Sequence, residues 1–161
     1  MVERIEFCKF TSKPYLFLHT YKIKDFDRIT DIVCNFEDPV YVELNFSLKE
    51  NKIPCIKGNI KLNASLTCQN CLGEVNNKLN INFKTGFLQN EQEGGYLDSD
   101  YEKIIFHKKS ISTIEFITDE ILMSMPMFAK HSYKCYQYQN DDYIAKNPTK
   151  NPFAILKSIK N

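Results

Sequence analysis

From residue 56 to residue 87 apolar and polar residues alternate, and no other feature of this chain constrains its fold as tightly. Ile56, Gly58, Ile60, Leu62, Ala64, Leu66 and Cys68 share one parity; Lys57, Asn59, Lys61, Asn63, Ser65 and Thr67 share the other. After "QNCLGE" the pattern resumes, with Val75, Leu79, Ile81, Phe83 and Phe87 on the apolar side and Asn76, Lys78, Asn80, Asn82 and Lys84 opposite. Successive side chains of a strand point to opposite faces, so this period of two predicts two long half-buried strands. The short turn between them makes an antiparallel hairpin whose tip carries Cys68 and Cys71. "YVELNFSLK" before it alternates in the same way, with Val42, Leu44, Phe46 and Leu48 inward.

Later the period changes. "SISTIEFITDEILMSMP" spaces Ile114, Ile117, Ile121 and Met125 as one face of a helix, with Glu115, Asp119 and Glu120 elsewhere on the wheel. Ser112 and Glu115 form a capping box at its start, and Pro126 ends it. "NPFAILKSIK" opens with Asn151 as N-cap and Pro152 at the first helical position, a short helix that needs something to dock on. "KIIF" reads as one more short strand, and residues 1–40 as a strand followed by a short amphipathic segment. The expected fold is therefore α+β: an antiparallel β-sheet with a long β-hairpin, one packed amphipathic helix and a short C-terminal helix. We expect a single domain over 1–161, with a flexible acidic loop at 89–102 and a polar loop at 137–150.

The 161 residues suit one core. No run reaches the roughly 18 apolar residues that would span a bilayer. The N-terminus lacks the basic start, apolar run and cleavage site of a signal peptide, so a cytoplasmic protein without membrane association is expected. Five glycines and no GxGxxG or P-loop pattern argue against a phosphate-cradling loop and a small-molecule substrate. The formal net charge of +1 argues against coating nucleic acid by bulk attraction. The charge is unevenly placed, however. Residues 51–90 hold Lys52, Lys57, Lys61, Lys78 and Lys84 against Glu74 alone, whereas 91–102 hold only acids. This is either a solvated face beside an acidic loop or a modest nucleic-acid or partner surface. Stacking aromatics are not interleaved with these lysines along the sequence.

In a reducing compartment C-x-x-C signals metal or redox chemistry before a disulfide. Three readings of Cys68 and Cys71 stand side by side. A redox pair opens a helix that lowers a thiol pKa, and here a strand follows. Two small apolar side chains at the end of an inward row would need no function at all. A structural zinc knuckle would need two more ligands, and "HSYKC" offers His131 and Cys135. Cys68, Cys71, His131 and Cys135 would then close a Cys3His tetrahedron with no open catalytic position. Cys8, Cys34 and Cys55 read as core residues, His19 as a packed histidine and His107 as exposed. No catalytic constellation is visible, and we expect no enzyme.

"LTCQNCL", then "TDEILMSMPM" with a following His and Cys, then "NPFAILKSIK", resemble in that order the YceD-like family of large ribosomal RNA subunit accumulation proteins. The resemblance runs from about residue 42 to the C-terminus. It matches Cys68 and Cys71 to the family's C-x-x-C, Asp119 and Glu120 to its acidic pair, Pro126 and Cys135 to the residues after its helix. It matches Asn151, Pro152, Phe153, Ala154 and Leu156 to its terminal motif. Asn70 stands where the family often has arginine. The resemblance implies a non-catalytic factor supporting synthesis, processing or stability of 23S ribosomal RNA. Ribosomal RNA or a ribosome-assembly protein is the expected partner. The rival is an adaptor that engages a ribosomal protein or nuclease without touching RNA. The surface expected to serve either role comprises Lys57, Lys61, Lys78 and Lys84, with Asn151, Pro152, Phe153 and Leu156.

Overall fold

The computed structural model describes residues 4–35, 37–49 and 52–135. The chain divides into two units, Met1–Lys130 and His131–Asn161. Of the second, only residues 131–135 are described, so the expected polar loop at 137–150 and the terminal helix lie outside the described residues.

The first unit is a five-stranded sheet in the order β2-β3-β4-β5-β6. Its strands are β2 (Tyr15–Lys22), β3 (Pro39–Leu48), β4 (Pro54–Thr67), β5 (Glu74–Leu88) and β6 (Glu102–Ile105). The predicted hairpin is β4–β5, in register from Cys55 opposite Gly86 to Thr67 opposite Glu74. Its inward parity is as the alternation requires: Ile56, Ile60, Leu62, Ala64 and Leu66 are buried, with Val42 and Leu44 beside them on β3. Burying these methyl and methylene groups at roughly 25 cal/mol per Å² is what holds the register, since a slip of one residue would turn the whole apolar row to solvent.

Three strands depart from the expectation. β6 ("EKII") runs parallel to β5, not antiparallel. A parallel neighbour requires a crossover of about a dozen residues, and the 89–101 connection supplies it with a 3-10 turn at Glu91–Tyr96. Leu97 and Tyr101 from this stretch are buried with Ile53, Cys55 and Leu88 in a satellite cluster. A separate two-stranded sheet joins β1 (Arg4–Glu6) to β7 (Ser110–Ser112), a pairing over more than a hundred residues that no local pattern announces.

A single turn α1 (Asp27–Thr30) buries Ile29, and α2 (Thr113–Ser124) buries Phe116, Ile117 and Ile121. The Ser112 hydroxyl accepts from the Glu115 amide at 3.4 Å, which is one half of the predicted capping box. Met125 is extended, with φ −69° and ψ 138°, because Pro126 forbids another helical residue before it. The Phe116 ring meets Phe83 edge-on at 5.6 Å, and Phe83 lies over Gly58, where any Cβ would collide with its ring. This is how the helix seats on β4–β5. Glu120, placed by the wheel away from the core, is instead buried. The stripe is wide enough that the position following Phe116 by four and Ile117 by three also turns inward.

Candidate metal centre and sheet face

The tip of β4–β5 is built by backbone bonds that need no metal. The Cys68 amide donates to the Gly73 carbonyl at 2.8 Å, and the Leu72 amide to the Cys68 carbonyl at 2.9 Å. Leu72 holds φ at 61°, a left-handed conformation that costs a leucine about 1 kcal/mol and makes the turn tight. Inside it the Asn70 amide points at Cys68 Sγ, 3.4 Å away. The Gln69 amide donates to the Ala129 carbonyl at 2.8 Å, fixing the chain two residues before His131.

The donor atoms of Cys68, Cys71, His131 and Cys135 all lie within 4.8 Å of one another. Tetrahedral zinc with sulfur ligands at about 2.3 Å needs donors about 3.8 Å apart, so the spacing is compatible with zinc. Three sulfurs and one imidazole are also the donor set that borderline-soft zinc prefers. Cys68 is fully buried and the other three are half-buried. The remaining cysteines differ from expectation in part. Cys55 is core, and burial pushes its thiol up to about 11, but Cys8 and Cys34 are exposed because they lie in the short elements and turns flanking the sheet. His19 is half-buried, with its ring 4.4 Å from that of Tyr21 and 5.9 Å from that of Phe17. His107 is exposed.

The outer face of the sheet places the four predicted lysines in two groups. Lys57 and Lys84 stand directly opposite each other. Lys84 pairs with Asp100, which raises the lysine's pKa and lowers that of the carboxylate. The ammonium groups of Lys49, Lys57 and Lys84 lie 5.8, 5.8 and 6.0 Å from the centre of the Tyr101 ring. This end of the face is thus partly neutralised by the acidic stretch. Lys61 and Lys78 are exposed and make no ion pair among the described residues. Tyr41, exposed on β3, sits directly opposite Lys61. The aromatic missing along the sequence is therefore supplied across strands, from a residue twenty positions away.

The acidic pair of the helix is divided. Asp119 faces outward and pairs with Arg28 at 2.5 Å. Glu120 faces inward, and burial followed by the charges of Glu102 and Asp119 pushes its carboxyl up to about 7. The Thr85 hydroxyl opposes that rise only weakly, since it makes no well-formed hydrogen bond.

Residues 56–160 match the family described as "Large ribosomal RNA subunit accumulation protein YceD". The chain belongs to the YceD family. A relative from Haemophilus influenzae bearing that same description is 26% identical over 149 residues, which is 87% of this chain and 84% of the relative. No solved structure matches the chain. The family's description places it in accumulation of large-subunit ribosomal RNA, which is a part of ribosome biogenesis. The resemblance read from "TCQNC", the acidic helix and the terminal motif therefore pointed to the right family. Asn151, Pro152, Phe153 and Leu156 lie outside the described residues. No helix among the described residues is long and apolar enough to cross a membrane.

Proposed function

We propose that the protein is a non-catalytic, cytoplasmic factor that supports accumulation of 23S ribosomal RNA by contacting the RNA directly through the outer face of its sheet. The observation that carries this reading is the exposed pair of Lys61 and Lys78 among asparagines, at the end of the outer face away from the Leu97 and Tyr101 cluster on Cys55. Lysines placed there meet phosphate oxygens, and Asn59, Asn80 and Asn82 present amides that can meet sugars and base edges. Lys57 and Lys84 extend the surface where Asp100 yields. In this reading Cys68, Cys71, His131 and Cys135 hold one structural zinc ion, which fastens the hairpin tip and performs no chemistry. The group Asn151, Pro152, Phe153 and Leu156 serves as a segment for a ribosome-assembly protein.

Binding of the purified full chain to ribosomal RNA fragments across a salt series tests the reading. Phosphate contacts release counterions, so affinity should fall steeply and linearly on a logarithmic salt axis. Absence of RNA binding, with a ribosomal protein or nuclease recovered from growing cells, would replace it by the adaptor reading.

A further inference from the structure

The register of β2, β3, β4 and β5 lines up Thr20, Tyr41, Lys61 and Asn80 as one row across the outer face. Tyr41 is 54% exposed on this face. Two shallow hollows flank it. One, of about 400 Å³, is lined by Leu18, Glu43, Asn59 and Lys61 together with Tyr41. The other, of about 380 Å³, is lined by Pro39, Asn63, Lys78 and Asn80 together with the same Tyr41 and Lys61. Each is at the lower end of the size of small-ligand sites, about 300–1,000 Å³. Tyr41 and Lys61 are thus the shared wall between two neighbouring compartments.

We infer that this is a two-base site for single-stranded RNA, in which consecutive bases lie on either side of Tyr41 and the phosphate between them is held by Lys61. The inference rests on the direct-RNA reading above and specifies its ligand. An exposed aromatic on an open sheet stacks bases only when they are unpaired, because bases in a duplex already stack on one another. The charges favour the same polarity. Lys78 lines the second hollow, so the backbone continues along the Lys61–Lys78 side. Glu43 lines the first and repels a phosphate, so that hollow takes the base rather than the backbone. The amides are set in place: Asn59 Nδ2 donates to Asn80 Oδ1 and Asn82 Oδ1, both at 2.7 Å. Leu18, 64% exposed on the neighbouring strand, gives an apolar shoulder that suits a base and not a phosphate.

The test uses the full chain and a fluorescent 12-nucleotide single strand of mixed sequence, with the same sequence in a duplex as comparison. The wild-type protein should bind the single strand more tightly than the duplex. Tyr41→Ala should weaken single-strand binding about 5- to 100-fold, from one or two lost stacking contacts, while Tyr41→Phe retains it. Lys61→Ala should weaken binding and lower the logarithmic salt slope by about one. Tyr41 and Lys61 are exposed, so unchanged thermal melting is expected for all three variants. If the wild type binds RNA but Tyr41→Ala binds equally well, the two-base site is wrong and the RNA reading stands. If the wild type binds neither form at low salt, the RNA reading itself is wrong and this inference goes with it.

Discussion

Glutamine at position 120 should remove a pH dependence of folding that the wild-type chain carries. Glu120 on the inner side of α2 is 5% exposed, and its carboxyl is pushed up to about 7 from its ordinary 4.5. The cause is chiefly burial, then the neighbouring charges of Glu102 and Asp119, so the folded state favours the protonated acid. Below pH 4.5 the group is protonated both folded and unfolded, and its ionisation costs nothing. As pH rises from 4.5 to 7 the unfolded chain ionises freely while the folded chain resists, so stability falls. Above about 7 both forms are ionised and the full cost remains. At about 1.4 kcal/mol per pH decade the ceiling is roughly 3 kcal/mol, and partial access of water to the carboxylate reduces it to about 1–2 kcal/mol. Glu120→Gln keeps the shape without the charge. Urea unfolding of both proteins at pH 5 and pH 8 reads the effect, with metal content held constant. The variant should match or fall slightly below wild type at pH 5 and exceed it by about 1–2 kcal/mol at pH 8. A stability difference that stays the same at the two pH values would refute the argument, because it would mean that Glu120 ionises in the folded state as it does in water.

Ile121→Ala should cost about 2–5 kcal/mol in the same assay, since Ile121 is fully buried and its removal leaves a cavity beneath α2; a loss under half a kcal/mol would mean the helix is not packed there. Gly58→Ala should cost about 1–3 kcal/mol, because its Cβ would fall 2.0 Å from the Phe83 ring. Adding Phe83→Leu should recover part of that loss, and no recovery would show that the clash is not the cause. Protein purified without chelator should carry close to one equivalent of zinc by elemental analysis, and Cys71→Ser with Cys135→Ser should lose it; wild-type protein free of metal would defeat the zinc assignment.

The sheet was the legible part of this fold because a period of two reports directly which side of a strand is buried. The run from Ile56 to Cys68 needed no partner to be read, and the hairpin follows from it. β6 was visible as a strand, but its direction was not. Direction depends on the path of the preceding connection, and that path is fixed by Leu97 and Tyr101 docking on Cys55, contacts between residues forty apart. The β1–β7 pair was hidden for the same reason. At the candidate site the spacing of Cys68, Cys71, His131 and Cys135 was enough to propose their convergence, because metal geometry limits which residues can meet. Tyr41 was missed. Its neighbourhood with Lys61 exists only in the register between β3 and β4, although the alternation of "YVELNF" already placed it on the outward parity.

Asp119 and Glu120, adjacent acids on α2, invite a catalytic reading as a carboxylate pair that their geometry opposes. General acid and base carboxylates must face one reactant, and successive residues on a helix point about 100° apart. Here the divergence is complete: Asp119 turns out to Arg28 on α1, and Glu120 turns in under α2 with 5% of its surface exposed. A raised carboxyl pKa in a cleft is a sign of function, but beneath a packed helix the same shift follows from burial first and then from the charges of Glu102 and Asp119. The two acids then have separate structural effects. Asp119 contributes a surface pair worth under about 1 kcal/mol, and Glu120 makes the seat of α2 sensitive to pH. Facing apart, the two carboxyls cannot act on one common reactant.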